Sequence, residues 1–393
     1  MPGSIIVNGA RTPIGKLNGA LASMAATDLG GVAIKAALAR AGVAPEQVDY
    51  VIMGQVLLAG AGQITARQAA AKAGIPLTVP ATTVNKVCPS GLHSIYLADL
   101  MIQAGDAEII VAGGQESMTQ APYLLPGARA GYRAGDQKVV DSMMYDGLTD
   151  AFEHLAMGLS TENYNSAGPK IGRERQDAFA AASHERAAAA IKDGRLADEI
   201  TPVAVPSRKG DVIVETDEGV RPETTVESLA ALKPAFTTDG TITAGNASQI
   251  SDGAAAVVVM SAAAAARLGV TPLGEVVGYG QVAGPDTSLL TQPSRAILAA
   301  LKRRDLSLSD LSVFEINEAF AAVALASMDE LGIDEDDVNP NGGAIALGHP
   351  VGMSGTRIAL SLLLELRRRG GGLGAAALCG GGGQGDALLV RSL

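Results

Sequence analysis

Two periods alternate along this chain. Residues 33–54, AIKAALARAGVAPEQVDYVIMG, open with apolar positions three and four apart, break at residues 42–45 and close on a short apolar run. That is the pattern of an amphipathic helix, a turn and a buried strand. Residues 296–317, AILAALKRRDLSLSDLSVFEIN, repeat it, and an ungapped overlay matches Ala33/Ala296, Ile34/Ile297, Ala36/Ala299, Ala37/Ala300, Leu38/Leu301 and Arg40/Arg303. The same order continues in both places: PSGL leads into a helix and then AEIIVAGGQES, while MSGT leads into a helix and then GAAALCGGGGQG. Alternating helices and strands predict an α/β protein of two pseudo-equivalent halves, with mostly parallel sheets covered on both faces and functional loops at strand ends.

Between the halves the composition changes. Pro, Gly, Met, Tyr and charged residues gather in segments such as GYRAGDQKVVDSMMYDG and RKGDVIVETDEGVRPETT, which read as an irregular inserted region. SDGAAAVVVMS, residues 251–261, then resumes the apolar strand character of the first half. The expected division is residues 1–120 with 250–270 for the N-terminal half, 121–249 for an inserted loop domain, and 271–393 for the C-terminal half.

Bulk properties narrow the ligand class. A chain of 393 residues, 47% apolar and 18% charged, has enough apolar surface for more than one core. A net charge of -11 argues against a broad nucleic-acid surface and leaves small molecules as the expected partners. Two cysteines far apart give neither a disulfide framework nor a zinc module, so free thiols in a reducing compartment are expected. The apolar run from Ala254 to Ala266 is broken by Ser261, nothing approaches the roughly 20 apolar residues that cross a bilayer, and MPGSIIVNGARTP lacks a secretory pattern. A cytoplasmic protein without a membrane partner is the expectation.

Against this background the placement of the two cysteines matters. In VNKVCPSGLHS, Pro89 suits the first helical position, which makes Cys88 the expected N-cap, where free amides and the positive helix end favour thiolate. A small buried thiol is the bland alternative. In NGGAIALGHPVGMSGTR, His349 follows a glycine-rich turn and precedes Pro350, and imidazole is the natural base for a thiol. Cys379 ends the apolar run LGAAALC. The glycines that follow formally satisfy G-x-G-x-x-G, yet only DALLVRSL remains after them, so a hairpin is expected in place of a dinucleotide loop. Its bare amides can approach a ligand oxygen. Asn317 in FEINEAFAA either faces a cleft from a strand end or caps the next helix, and Ser248 reads first as a turn residue. His93, His154 and His184 lack metal-ligand spacing, and no metal site is expected.

Taken in order, ARTPIGK, GQVLLAGAGQITARQAA, NKVCPSG, AGGQESM, NASQISDGAAA, NEAFAA, NGGAIALGHPVGMSGTR and CGGGGQG resemble the motifs of the thiolase family, in its acetyl-CoA acetyltransferase branch, over nearly the whole chain. The resemblance implies a thiolase fold, a five-layered α/β/α/β/α body with a loop domain that holds coenzyme A and contributes to contacts in a homotetramer or homodimer. It implies reversible Claisen condensation of two acetyl-CoA to acetoacetyl-CoA and CoA, with CoA thioesters as substrates and no separate cofactor. By match to the family's motifs, Cys88 is the nucleophile that carries the acyl group, His349 its base, and Cys379 the acid/base at the methyl of the second acetyl-CoA. One oxyanion pocket matches His349 with a water held by Asn317, the other the amides of Cys88 and Gly381. Ser248 matches a residue near the pantetheine, Arg221 one that packs on the adenine, and Met157 is the third expected CoA contact.

Two stretches depart from the short-chain members. Ala156-Met157-Gly158 stands where many have His-Met-Gly, with His154 two residues away, and DTSLLTQPSRAI, with Leu289 and Leu290, replaces Met-Gly-x-Gly-Pro. These departures leave open a broader-chain 3-ketoacyl-CoA thiolase. A ketoacyl synthase would pair its cysteine with two histidines, where this chain has His349 and Cys379. A noncatalytic acyl-CoA-binding relative would have no need of Cys88, Asn317, His349 and Cys379 together.

Overall fold

The computed structural model describes residues 4–393. Strand β1 (Ile5–Arg11), helix α1 (Ala26–Ala41), β2 (Tyr50–Gly54), α2 (Thr65–Lys72), β3 (Ala81–Val84), α3 (Ser90–Ala104) and β4 (Ile109–Ser117) come first. Residues 121–249 follow and hold α4 (Met157–Ala167) and α5 (Arg173–Lys192). After them come β5 (Ser251–Met260), β6 (Gly274–Ala283), α6 (Gln292–Arg304), β7 (Leu311–Ile316), α7 (Ala321–Leu331), α8 (Ser354–Arg368), β8 (Gly372–Gly380) and β9 (Gln384–Ser392).

The strands lie in the order β7-β8-β9-β6-β1-β5-β4-β2-β3. Outward from the contact of β1 with β6, the two sides repeat: β1, β5, β4, β2, β3 on one, and β6, β9, β8, β7 on the other. Val338 bridges Phe314 in parallel where, on the first side, β3 pairs with β2. The pairing is mixed, not mostly parallel. β2 with β3, β2 with β4 and β7 with β8 are parallel, whereas β5 with β4 and β1, and β9 with β8 and β6, are antiparallel. Connection length explains the difference at the C-terminus: residues 381–383 alone join β8 to β9, too short a link for a parallel crossover.

Three apolar interfaces build the five layers. Leu29, Ile34 and Ala37 of α1 pack on Val51, Val111 and Val258 at one outer face, and Ile297 and Leu301 of α6 with Val323 of α7 pack on Phe314, Ile316 and Leu389 at the other. Between the two repeating sides of the sheet lie α3 and α8, joined through Leu92, Ile95, Ile358 and Leu362. Their N-terminal ends approach through the repeated Ser-Gly pairs. A Cβ on Gly91 would sit 2.7 Å from Thr356 Oγ1, one on Gly355 would overlap the Leu92 amide, and Thr356 Oγ1 donates to Gly91 O at 2.9 Å. The two glycines therefore set how closely the segments that precede α3 and α8 can meet, and those segments carry Cys88 and His349.

Residues 121–249 are more regular than their composition suggests. RERQDAFAAASHERAAAAIK is alanine-rich and forms the 20-residue α5, which buries Phe179 and Ala180 in the core beneath α7. No described helix is long and apolar enough to cross a membrane.

Candidate active site

Cys88 sits in a strained turn. β3 ends at Val84, and α3 begins at Ser90 with Pro89 as its N-cap, so Cys88 stands one residue outside the cap expected of it. Asn85 Oδ1 accepts from the Val87 amide (3.0 Å), and Ser90 Oγ accepts from the Lys86 amide (2.8 Å) while donating to Val87 O (2.6 Å). These bonds hold Val87 at a φ of 53°. A β-branched side chain avoids that left-handed region, at a cost of about 1–3 kcal/mol. The turn brings the Cys88 sulfur against its own amide and that of Gly381.

Gly381 comes from the hairpin between β8 and β9, and its neighbour Gly380 must be glycine for the hairpin to approach so closely. A Cβ on Gly380 would meet Pro89 Cδ at 2.8 Å, and one on Gly381 would meet Val87 Cγ1 at 3.4 Å. Cys379, the residue before them, is fully buried. The hairpin thus lays Cys379, Gly380 and Gly381 along Val87, Cys88 and Pro89.

His349 is fixed from both sides. Gly348 has a φ of 111°, and a Cβ there would overlap Ser251 Oγ. The His349 amide donates to Gln249 O (3.1 Å). Ser354 Oγ gives its hydrogen to Pro350 O (3.0 Å), so at 2.6 Å it accepts from His349 Nδ1. That leaves the proton on Nδ1 and the lone pair on Nε2, which faces Asn317 Nδ2 at 3.4 Å. Asn317 is no helix cap, because α7 is capped by Phe320 without a side-chain bond. Its amide donates to Ala377 O (2.9 Å), two residues before Cys379, and its Oδ1 is buried without a protein partner.

Three anchors escaped the sequence reading. Ser354 was seen only as part of a Ser-Gly turn. Glu318 accepts from Ser183 Oγ (2.7 Å), Asn339 Nδ2 (2.8 Å) and the Ile345 amide (3.0 Å), pinning the residue next to Asn317. Glu116 accepts from the amides of Val56 (2.9 Å), Leu57 (3.1 Å) and Gly352 (3.0 Å), tying the stretch after His349 to the other half. A carboxylate inside an apolar run was the available signal for both glutamates.

Cys88, Gly381 and His349 share the wall of a cavity of about 60 Å³ with Leu148, Met157 and Leu289. A second cavity of about 220 Å³ shares Met157, Ser248, Phe320 and His349 with the first and adds Ala156 and Phe236. Ser248 and Met157 therefore border both. Arg221 lines neither; it is exposed, its amide donates to His184 Nδ1 (3.2 Å), and the segment is tied in where Gly219 O accepts from Gln249 Nε2 (3.2 Å). His154 is exposed and borders neither cavity. Among the described residues no group of three or more His, Cys, Asp or Glu is arranged to hold a metal ion.

Burial governs the protonation states. It pushes the Cys88 thiol up to about 12, against the pull of the Cys88 and Gly381 amides, and pushes His349 down to about 3, with the positive Arg357 adding to the effect. Cys379 is raised well above an ordinary thiol by burial and then by the charge of Cys88. The resting site is therefore neutral throughout, and the thiolate expected from the helix end is overridden by desolvation in so small a cavity. Alkylation of Cys88 by iodoacetamide, followed by peptide mass spectrometry on the unliganded protein, is expected to accelerate about tenfold per pH unit between about pH 7 and 10, because the thiolate fraction below the pKa scales that way. A rate that levels off near neutrality would mean a preformed thiolate.

The sequence matches the thiolase N-terminal domain over residues 4–263 and the thiolase C-terminal domain over residues 270–392. It is 60% identical over 388 residues, 98% of this chain and 100% of the relative, to a probable acetyl-CoA acetyltransferase of Mycolicibacterium smegmatis. It is 54% identical over 389 residues, 98% of each chain, to an acetyl-CoA acetyltransferase of Cupriavidus necator. The crystal structure of the Bacillus anthracis acetyl-CoA acetyltransferase superposes with a TM-score of 0.97 at 41% identity, covering 100% of this chain and 99% of that one. With both domains matched and the five-layered fold shared, the chain belongs to the thiolase family.

Proposed function

We propose that this chain is an acetyl-CoA C-acetyltransferase, which condenses two acetyl-CoA to acetoacetyl-CoA and CoA and runs the reverse thiolysis. The carrying observation is that Cys88, Gly381 and His349 line one small cavity while Cys379 lies buried near Cys88 on the hairpin that carries Gly381. In the first half-reaction His349 Nε2 takes the Cys88 proton, the sulfur attacks the thioester carbonyl, and departing CoA recovers that proton from His349. The oxyanion forms against the amides of Cys88 and Gly381, each such donor worth on the order of 3 kcal/mol in the transition state.

Acetylation converts the neutral Cys88 thiol into a neutral thioester, so no anion arises at Cys88 to oppose ionisation of Cys379. Cys379 passes its proton to His349, and its thiolate takes one from the methyl of the second acetyl-CoA, whose enolate oxygen is stabilised by a water on Asn317 together with His349. The carbanion attacks the acetyl carbon, and Cys88 leaves and regains its proton from His349. Every proton is accounted for, so no resident cofactor is needed and CoA thioesters are the only substrates.

The division into halves at residues 1–120 with 250–270 and 271–393, with 121–249 as the loop domain, is supported by the repeated strand order. Ser248 and Met157 border both cavities, which supports a CoA contact for each, and Arg221 is assigned to the adenine by its match to the family's motif. A homotetramer, with a homodimer as the smaller form, in the cytoplasm is carried over from the family; exposed Tyr123, Leu125 and Val139 leave apolar surface that a partner copy would cover.

A cavity of about 60 Å³ walled by Leu148, Met157 and Leu289 favours short acyl groups over the broader-chain reading. Among acetoacetyl-CoA, 2-methylacetoacetyl-CoA and longer 3-ketoacyl-CoAs, acetoacetyl-CoA is expected to be cleaved with the highest kcat/KM, and each added chain methylene to cost about tenfold or more. Equal or faster cleavage of the longer chains would reverse the assignment of chain length.

A further inference from the structure

Behind the strained turn lies a charge cluster, buried at Asp386 and Tyr279 and half-buried at Lys86, that touches neither cavity. Lys86, two residues before Cys88, places Nζ between both oxygens of Asp386 (2.7 and 2.8 Å) and Gln281 Oε1 (2.8 Å). Asp386 is fully buried on β9, paired with Leu378, the neighbour of Cys379. Tyr279 of β6 donates to Asp386 Oδ2 at 2.5 Å, and its ring stacks on Tyr96 of α3 with centroids 4.1 Å apart.

Such a pair is a weak source of stability, since the desolvation of two charges roughly cancels their attraction. What it supplies is geometry. Lys86 comes from the first half, and Asp386, Gln281 and Tyr279 come from the second. From Asp386 the chain runs back through residues 385–382 to Gly381, and from Lys86 it runs forward through Val87 to Cys88. Val87, held in the left-handed region, fills the space beside Gly381. The ion pair therefore closes a ring whose other side is the pair of amides at the Cys88 sulfur.

We propose that Lys86 and Asp386 form a positioning clasp that holds the Val87 turn against the 381–383 hairpin, so that the Cys88 and Gly381 amides converge on one oxyanion. The proposal rests on the acyl-transfer reading of Cys88. Neither residue touches substrate, so their effect falls on rate and not on affinity.

The test is single-turnover acetylation of Cys88 by acetyl-CoA, read by quenched-flow mass spectrometry. Lys86→Met is expected to slow it about 100-fold, the scale of a misplaced oxyanion donor, while the acetyl-CoA concentration at half-maximal rate stays within about threefold. Lys86→Arg, which keeps charge and reach, is expected to recover at least about tenfold of that loss. Adding Asp386→Asn to Lys86→Met is expected to slow acetylation no further, because the clasp is already open. Should Lys86→Met fail to fold, Asp386→Asn alone, close to isosteric, is expected to show at least a tenfold loss with unchanged half-saturation. Acetylation at the wild-type rate in either single variant, or a loss carried by half-saturation alone, would overturn the clasp while leaving acyl transfer standing. A wild-type protein that is never acetylated would overturn both.

Discussion

Cys379→Ala is expected to separate two activities that the intact protein joins. Exchange of the acetyl group between acetyl-CoA and Cys88 should stay within about tenfold of wild type, while condensation and thiolysis fall by about 10³-fold or more, the upper part of what a positioned acid/base contributes. The asymmetry follows from where the proton sits. Acyl transfer to Cys88 needs only His349 Nε2 and the amides of Cys88 and Gly381, none of which the substitution touches. Making or breaking the carbon-carbon bond needs a group that moves a proton to or from a methyl carbon, the role proposed for Cys379, which is buried next to Gly380 and Gly381. Label exchange between acetyl-CoA and free CoA measures the first activity, and acetoacetyl-CoA formation the second. Equal loss of both would reject the role given to Cys379.

His349→Ala is expected to remove both activities together, by about 10³-fold, within the range for loss of a general base. With Cys88 held up to about 12 by burial, almost no thiolate exists at neutral pH unless a base takes the proton as the substrate is attacked. His349 is suited to that task because burial and Arg357 keep it neutral, down to about 3, and because Ser354 leaves Nε2 with its lone pair. The residual rate of the variant is expected to climb with pH as solvent substitutes for the imidazole. Single-turnover acetylation across pH checks both points, and a variant that acetylates Cys88 at the wild-type rate would show that Nε2 is not the base.

Much of the fold could be read from the sequence, and the reason is repetition. The pattern shared by residues 33–54 and 296–317 became α1 with β2 and α6 with β7, and the Ser-Gly pairs marked the point where α3 meets α8. The glycines after Cys379 were correctly separated from a dinucleotide loop because too little chain follows to build one. Strand direction was misjudged because periodicity reports burial, not the length of the connection that decides parallel or antiparallel return. The left-handed Val87 was hidden because valine ordinarily signals a strand, and only the bonds from Asn85 and Ser90 hold it there. Protonation was hidden for a different reason. The helix end beside Cys88 is a local feature, whereas the cavity wall that desolvates the thiol is built by Leu148, Met157 and Leu289, which lie far from Cys88 along the chain.

The proposed reaction turns on one event: an acetyl group rests on Cys88 while Cys379 stays free for the second substrate. Mixing Cys379→Ala protein with acetyl-CoA, quenching in acid and mapping peptides by mass spectrometry tests it most directly, since the acetyl group cannot be carried forward into product. One acetyl group on the peptide that contains Cys88 is the predicted result. An unmodified Cys88 in protein that still binds acetyl-CoA would contradict it.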